Sequence, residues 1–231
     1  MEAHFKATLD HLSKKEHILF LTTSNRWSGE KGGEMPKSTK LAHALAKKLG
    51  KRVTIIDTTK LKIYPCEGNV STERGNTCGE EAALLKDRKK NPSGCHRCWA
   101  SINNPDDELW KVSKPLLESD AVVFFGSVRW GQTNGYYQKL IERLTWLENR
   151  HSTLGEPNLL KKIEAGLIFV GQNWRGEEVL ETQKQVLTFF GFKVVKKLCW
   201  NWQFTKDAKD ETQETYKKAA IVFADTFLQI K

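Results

Sequence analysis

Five short apolar runs, alternating with segments of helical periodicity, constrain this chain more than any other feature. Residues 17–23 (HILFLTT), 52–57 (RVTIID), 121–126 (AVVFFG), 165–171 (AGLIFVG) and 192–200 (FKVVKKLCW) are rich in β-branched and aromatic residues and bounded by polar ones. That is the pattern of buried strands. Residues 39–50 place Leu41, Ala44, Leu45 and Leu49 on one helical face and end at Gly50, which suits a C-cap. Residues 134–148 direct Tyr137, Leu140, Ile141, Leu144 and Leu147 inward. Helices are also expected over 106–117, where Pro115 predicts a kink or early end, over 177–190 and over 209–230. Strands that are apolar throughout need cover on both faces, and alternation with helices supplies it in a parallel α/β sheet.

Right-handed crossovers leave few topologies for such a chain. Five parallel strands suit a flavodoxin-like three-layer sandwich, order 2-1-3-4-5, with helices on both faces and a ligand at the switch point between strands 1 and 3. The apolar pattern supplies the strands and not their order. The expected organisation is one domain over 1–231 with an insertion at 58–105, after strand 2. That segment is far longer than the roughly 4–6 residues of an ordinary connection. It holds Cys66, Cys78, Cys95 and Cys98, and Cys95-His96-Arg97-Cys98 is a C-x-x-C. Such a pattern suits a zinc or iron–sulfur site, a redox pair, or free thiols. Cys199 falls on the last strand and reads as core.

The formal net charge is +9, which favours anionic partners. The cations are spread along the chain, apart from runs at Lys86–Lys90 and Lys196–Lys197, and solvated faces explain them better than a nucleic-acid patch. No apolar run reaches the roughly 20 residues that span a bilayer. The first residues, MEAHFKATLDHLSKKEH, lack a signal-peptide pattern, so the expectation is a cytoplasmic protein.

In doubly wound sheets ligands meet the loops that follow the strands, and three loops have suitable chemistry. SNRWSGEKGGEMPKS at 24–38 brings hydroxyls and Arg26 to a helix N-terminus, where free N–H groups favour a phosphate. An ordinary capped surface loop has the same composition. SVRWGQTN at 127–134 offers Gly131 for close approach and Trp130 as a flat apolar wall for a redox flavin. Its alternative is a capped turn, with Asn134 as N-cap and Trp130 packed in the core. GQNWRG at 171–176 offers amides, Trp174 and Arg175, as an edge contact or a plain turn.

Taken together, these segments resemble the NADPH-dependent FMN reductase family over roughly residues 17–200. Ser24-Asn25-Arg26 is similar to that family's Ser-x-Arg phosphate loop. FFGSVRWGQTNGYYQKLIERL at 124–144 is similar to its strand, aromatic-Gly turn and following helix, with Lys139 and Glu142-Arg143 in the helix positions. Pro65-Cys66, with Cys95 and Cys98 later, resembles its Pro-Cys-x-x-Cys region. The resemblance implies that Ser24, Arg26, Ser38 and Thr39 hold the phosphate of FMN. It implies that Ser127, Val128, Arg129, Trp130 and Gly131 line the isoalloxazine, with Asn173 and Trp174 approaching from the third loop. It implies NAD(P)H as co-substrate, a quinone, flavin or other small acceptor, no catalytic side-chain acid or base, and a homo-oligomer, commonly a dimer. The first loop is longer than the family's and lacks its Gly-Asn-Thr approach to the helix. Arg129 replaces a small or apolar residue, and would serve either the reduced ring's charge or the NADPH phosphates.

A flavodoxin-type electron carrier without nicotinamide activity is a second reading, which the net positive charge opposes. A metal-stabilised scaffold that has lost the cofactor is a third. Trp146, Trp200 and Trp202 suit either core packing or a dimer interface.

Overall fold

The strands of the computed structural model, which describes residues 1–26, 33–171, 175–205 and 207–228, follow the apolar runs closely. They are β1 (Ile18–Thr22), β2 (Val53–Asp57), β3 (Ala121–Arg129), a two-residue β4 (Gln132–Thr133) that no apolar run signals, β5 (Glu164–Gly171) and β6 (Lys193–Gln203). The sheet order is β2-β1-β3-β5-β6, parallel throughout, with β4 turned back antiparallel on the end of β3. Counted without β4, this is the expected 2-1-3-4-5. The α-helices are α1 (Glu2–Leu12), α2 (Lys37–Leu49), α3 (Trp99–Asn103), α4 (Trp110–Leu117), α5 (Gly135–Ser152), α6 (Gly176–Phe189) and α7 (Gln213–Phe227). Successive strand residues point to opposite faces. Leu19 and Leu21 of β1 therefore join a core with α4, α5 and α6, while Ile18 and Phe20 join a second with α1, α2 and α7.

Several boundaries differ from expectation. No helix is expected at the N-terminus, because α1 has only a thin apolar stripe in a polar segment. Phe5, Thr8 and Leu12 are its buried residues, spaced three and four apart. Tertiary contacts hold it: the Thr8 hydroxyl donates to the Lys197 carbonyl at 2.9 Å and accepts from Trp200 Nε1 at 3.0 Å. On α2 the inward small residue is Ala42, not Ala44. α4 begins at Trp110, because Asp106, Asp107 and Glu108 are used in bonds to the insertion, and it runs through Pro115. β6 reaches Gln203 and carries a bulge, since Ala165 pairs with Val194 and Leu167 with Cys199. Leu198 of the bulge lies over Gly166, where a β-carbon would fall 2.3 Å from Leu198 Cβ.

A buried polar knot fastens the 58–105 segment, expected as an insertion, to α5. Arg143 and Asp107 have fully buried side chains. Arg143 donates to both Asp107 oxygens, at 2.8 and 3.0 Å, to the Tyr64 carbonyl at 2.7 Å and to Ser101 Oγ at 2.9 Å. Ser101 Oγ also donates to Asp107 at 2.8 Å, and His96 bridges Ser101 and Ser113 at 2.9 and 3.0 Å. Burial raises the Asp107 pKa, but bonds from Arg143 outweigh this and hold it below the ordinary carboxylate value. Arg97 and Arg150 both pair with Glu156 nearby.

Removing one member of such a pair strands the other. Asp107→Ala is expected to destabilise the fold by about 3–5 kcal/mol in urea unfolding, with the apolar double replacement Arg143→Met/Asp107→Leu recovering much of the loss. A double variant no more stable than the single would refute this account. His96 gives a pH test. Burial, then the Arg143 charge, lowers its pKa from 6.5 to about 4, so the folded state holds it neutral while the unfolded chain protonates it. Its contribution is therefore complete above the unfolded value of 6.5 and is lost as pH falls toward 4, by roughly 3 kcal/mol. His96→Gln should flatten the urea midpoint across that window.

Candidate functional site

The parallel strands deliver their following loops to one end of the sheet. Thr23, just beyond β1, anchors there: its N–H and hydroxyl both donate to the Phe125 carbonyl of β3, at 2.9 and 3.1 Å. Asn134 then ties the two loops, donating to Thr23 Oγ1 at 3.1 Å and capping α5 through Tyr137 N. Gly126 permits the approach, because a β-carbon there would lie 2.8 Å from the Phe169 ring.

Against this frame lies a cavity of about 290 Å³, lined by Ser24, Asn25, Arg26, Pro36, Lys37, Ser38, Ser127, Val128, Arg129 and Trp130, and closed by Trp202, Glu211 and Tyr216. Its floor is the first turn of α2, whose N-cap is Pro36 and has no side-chain cap. The leading N–H groups of that turn therefore lack helical acceptors. Ser38 Oγ donates to Ser24 Oγ at 2.8 Å. Thr39 Oγ1 and Ser127 Oγ are buried with no hydrogen-bond partner among the described residues. Lys37 is only 9% exposed, yet its ammonium has no ion-pair or hydrogen-bond partner among the described residues. Burial, then the neighbouring Arg26 charge, lowers its pKa below the ordinary lysine value. A largely buried cation at the positive end of a helix is electrostatically unfavourable.

The other wall is the β3–β4 hairpin. Trp130 and Gly131 have φ of 53° and 67°, so both central residues are left-handed, as a type I′ turn requires. A tryptophan there is strained. It is also 85% exposed at the cavity rim, so core packing is not its role. Arg129 donates to the Asn25 carbonyl at 3.4 Å, drawing the hairpin toward the first loop.

Seven expected site residues thus share one cavity: Ser24, Arg26, Ser38, Ser127, Val128, Arg129 and Trp130. Thr39 is one residue deeper on α2, Gly131 completes the hairpin without lining the cavity, and Asn173 and Trp174 fall outside the described residues. Sequence reasoning missed Lys37, although its place at the helix start beside Ser38 and Thr39 was a usable signal. It missed Glu211 and Tyr216, which reach the cavity only through the fold. Trp146, Trp200 and Trp202 are at most 5% exposed, so they pack the core and are not dimer anchors.

The cysteines do not converge as a metal site. All five are free thiols, and among the described residues no group of three metal-ligating side chains is placed to hold an ion. Cys98 Sγ accepts from Arg143 at 3.4 Å in the core, whereas Cys95 Sγ faces the Ser93 carbonyl near the surface. Burial pushes the Cys78 thiol up to about 12, with nearby Cys98 and Cys66 adding to the effect, and pushes Cys199 to about 11. A larger groove, about 1170 Å³, follows the outer edge of β6, but Glu177, Glu178 and Glu181 line it and oppose an anionic ligand.

No protein-family model matches the sequence, and no curated protein matches it. Solved structures do. RosB, solved with bound 8-demethyl-8-formylriboflavin-5'-phosphate, aligns at a TM-score of 0.55 and 16% identity over 92% of this chain and 77% of RosB. The azoreductase AzrA aligns at a TM-score of 0.51 and 17% identity over 92% of this chain and 96% of that one. The fold is flavodoxin-like. Identities this low establish shared architecture, including a parallel sheet whose strand ends frame a crevice, and leave the chemistry to the site itself.

The hairpin strain has a measurable consequence. Asparagine tolerates the left-handed region better than tryptophan, and little packing is lost at so exposed a position. Trp130→Asn is expected to raise stability by about 0.5–1 kcal/mol in thermal or urea unfolding, and a loss of stability would contradict the strain.

Proposed function

We propose that this chain is an FMN-dependent NAD(P)H oxidoreductase acting on a small acceptor such as a quinone or flavin. The carrying observation is Lys37, a largely buried lysine whose ammonium makes no direct bond among the described residues, in the first turn of an uncapped helix, opening on a cavity with Arg26. A phosphate monoester fits this donor set: helix N–H groups, the Ser24 and Ser38 hydroxyls and two cations, with the unpartnered Thr39 hydroxyl proposed to join from just behind the cavity wall. The adjoining wall suits a flat aromatic ring, with Val128 buried, Trp130 at the rim and the Ser127 hydroxyl unpartnered. RosB, of like architecture, was solved with a riboflavin phosphate derivative, which supports the same ligand class here.

Bound FMN would supply the two-electron chemistry, accepting hydride from a nicotinamide and passing it to the acceptor. The chain's own contribution is placement and charge. Lys37, Arg26 and the α2 N-terminus would hold the phosphate; Trp130 and Val128 would exclude water from one side of the ring. Ser127 Oγ is free to hydrogen-bond a polar edge of the ring. Arg129, beside the cavity, would favour negative charge developing there. Asn173 and Trp174 belong to this proposal as contacts from the third loop.

The test is anaerobic mixing of FMN-loaded protein with NADPH or NADH, following the flavin absorbance band. Rapid bleaching is expected, and failure of the protein to bind FMN would reject the reading. Lys37→Ala should weaken FMN binding by about tenfold or more, the worth of a charge-assisted hydrogen bond. Riboflavin, which lacks the phosphate, should bind both proteins alike.

A further inference from the structure

Glu34 is the one acidic side chain bonded directly to the cations around the α2 N-terminus among the described residues, and neither of its oxygens is idle. Oε2 accepts from Arg26 Nη1 at 3.1 Å, and Oε1 accepts from Lys40 Nζ at 2.7 Å. Arg26 lines the cavity beside Lys37, while Lys40 lies one residue beyond Thr39 on the same helix. Lys37 gains no such bond, although it is the most buried of the three cations. The carboxylate thus engages the two outer cations and leaves the inner one open to the cavity.

We propose that Glu34 is an affinity- and specificity-setting residue: an internal carboxylate that competes with a ligand's phosphate for Arg26 and so limits how strongly the site prefers a phosphorylated flavin over its unphosphorylated form. The identity of the ligand rests on the flavin reading above. The competition itself rests only on the placement of Glu34, Arg26, Lys37 and Lys40. Two anions sharing one guanidinium repel one another, and each must also meet the other's field at the helix N-terminus. Part of the phosphate's attraction is therefore cancelled by a charge the chain carries itself. Lys40 holds the Glu34 pKa low, with Arg26 and Lys37 adding to the effect, so the competitor is ionised near neutral pH. The pair is partly exposed, at 42% for Arg26 and 49% for Glu34, so water and salt screen it and the effect is a matter of several-fold.

The experiment compares wild type with Glu34→Gln, an exposed substitution that keeps side-chain length and removes the charge. Three probes are titrated at low ionic strength: FMN and riboflavin by flavin fluorescence, and inorganic phosphate by its effect on the melting temperature. The expected result is FMN and phosphate binding tightened about three- to tenfold, with riboflavin unchanged and the gain shrinking as salt is added. If FMN binds both proteins equally, or the variant more weakly, Glu34 orients Arg26 instead of competing; the proposal falls and the flavin reading stands. If phosphate tightens in the variant but FMN binds neither protein, the competition stands and the flavin reading falls. If neither anion binds either protein, both are rejected.

Discussion

Parallel pairing of the main strands is the constraint on which this structure depends. A parallel connection must cross a face of the sheet, so both faces acquire helices and each strand needs apolar residues on both sides. β1 meets this within five residues, with Leu19 and Leu21 on one core and Ile18 and Phe20 on the other. The same constraint makes the site. Strands that all point one way end at one edge of the sheet, so loops remote in sequence meet there. Ser24, Ser38 and Ser127 are neighbours around one cavity for that reason, with Thr23 and Asn134 fixing the loops that carry them.

The insertion after β2 meets a different physical problem. Its apolar residues, including Cys78, Cys98 and Ala100, join the core on the α5 face, but its backbone turns often and needs polar partners. Arg143 supplies several at once, reaching Tyr64, Cys98, Ser101 and Asp107 from one helix position. A buried ion pair gives little net stability against apolar residues of the same shape, since desolvation cancels much of the attraction. What this pair supplies is placement, because the bidentate geometry admits one arrangement of the segment against α5. His96 belongs to the same knot, and burial beside Arg143 keeps its imidazole neutral. Its bonds to Ser101 and Ser113 join the C-x-x-C segment to α3 and α4. This histidine, and with it the neighbouring Cys98, are parts of a structural junction.

At the cavity the balance runs the other way, with polar groups left unpaired. Among the described residues Thr39 and Ser127 have buried hydroxyls without partners, and Lys37 is a largely buried lysine whose ammonium makes no direct bond. Each lowers stability in the free protein, and a left-handed Trp130 adds backbone strain. Such unmet demand, with the cations around it, is what supports the anion site proposed above. Glu34 opposes that selection at the outer edge of the same site, so anion affinity is a difference of two electrostatic effects.

The sequence by itself determined the elements. Its apolar runs located the five long strands to within a few residues, and Asn134 and Gly50 marked helix ends correctly. It also determined the chemistry of the loops, because hydroxyls, Arg26 and a following helix start are local in the chain. The thin stripe of α1 was not legible, since three contact positions in a polar segment carry almost no periodic signal. β4 was hidden because two residues of a tight hairpin have no period at all. Only the tertiary structure decided that Lys37 is largely buried with no direct bond to its ammonium among the described residues, that Trp130 stands in solvent at the rim, and that Glu211 and Tyr216 close the cavity from the far end of the chain. Only it decided that, among the described residues, no three of the potential ligands are placed to hold a metal ion. The division has one physical reason: helix and strand patterns are set by neighbours a few residues apart, whereas burial, charge pairing and cavity shape arise from residues whose separation in sequence places no limit on how near they lie in space.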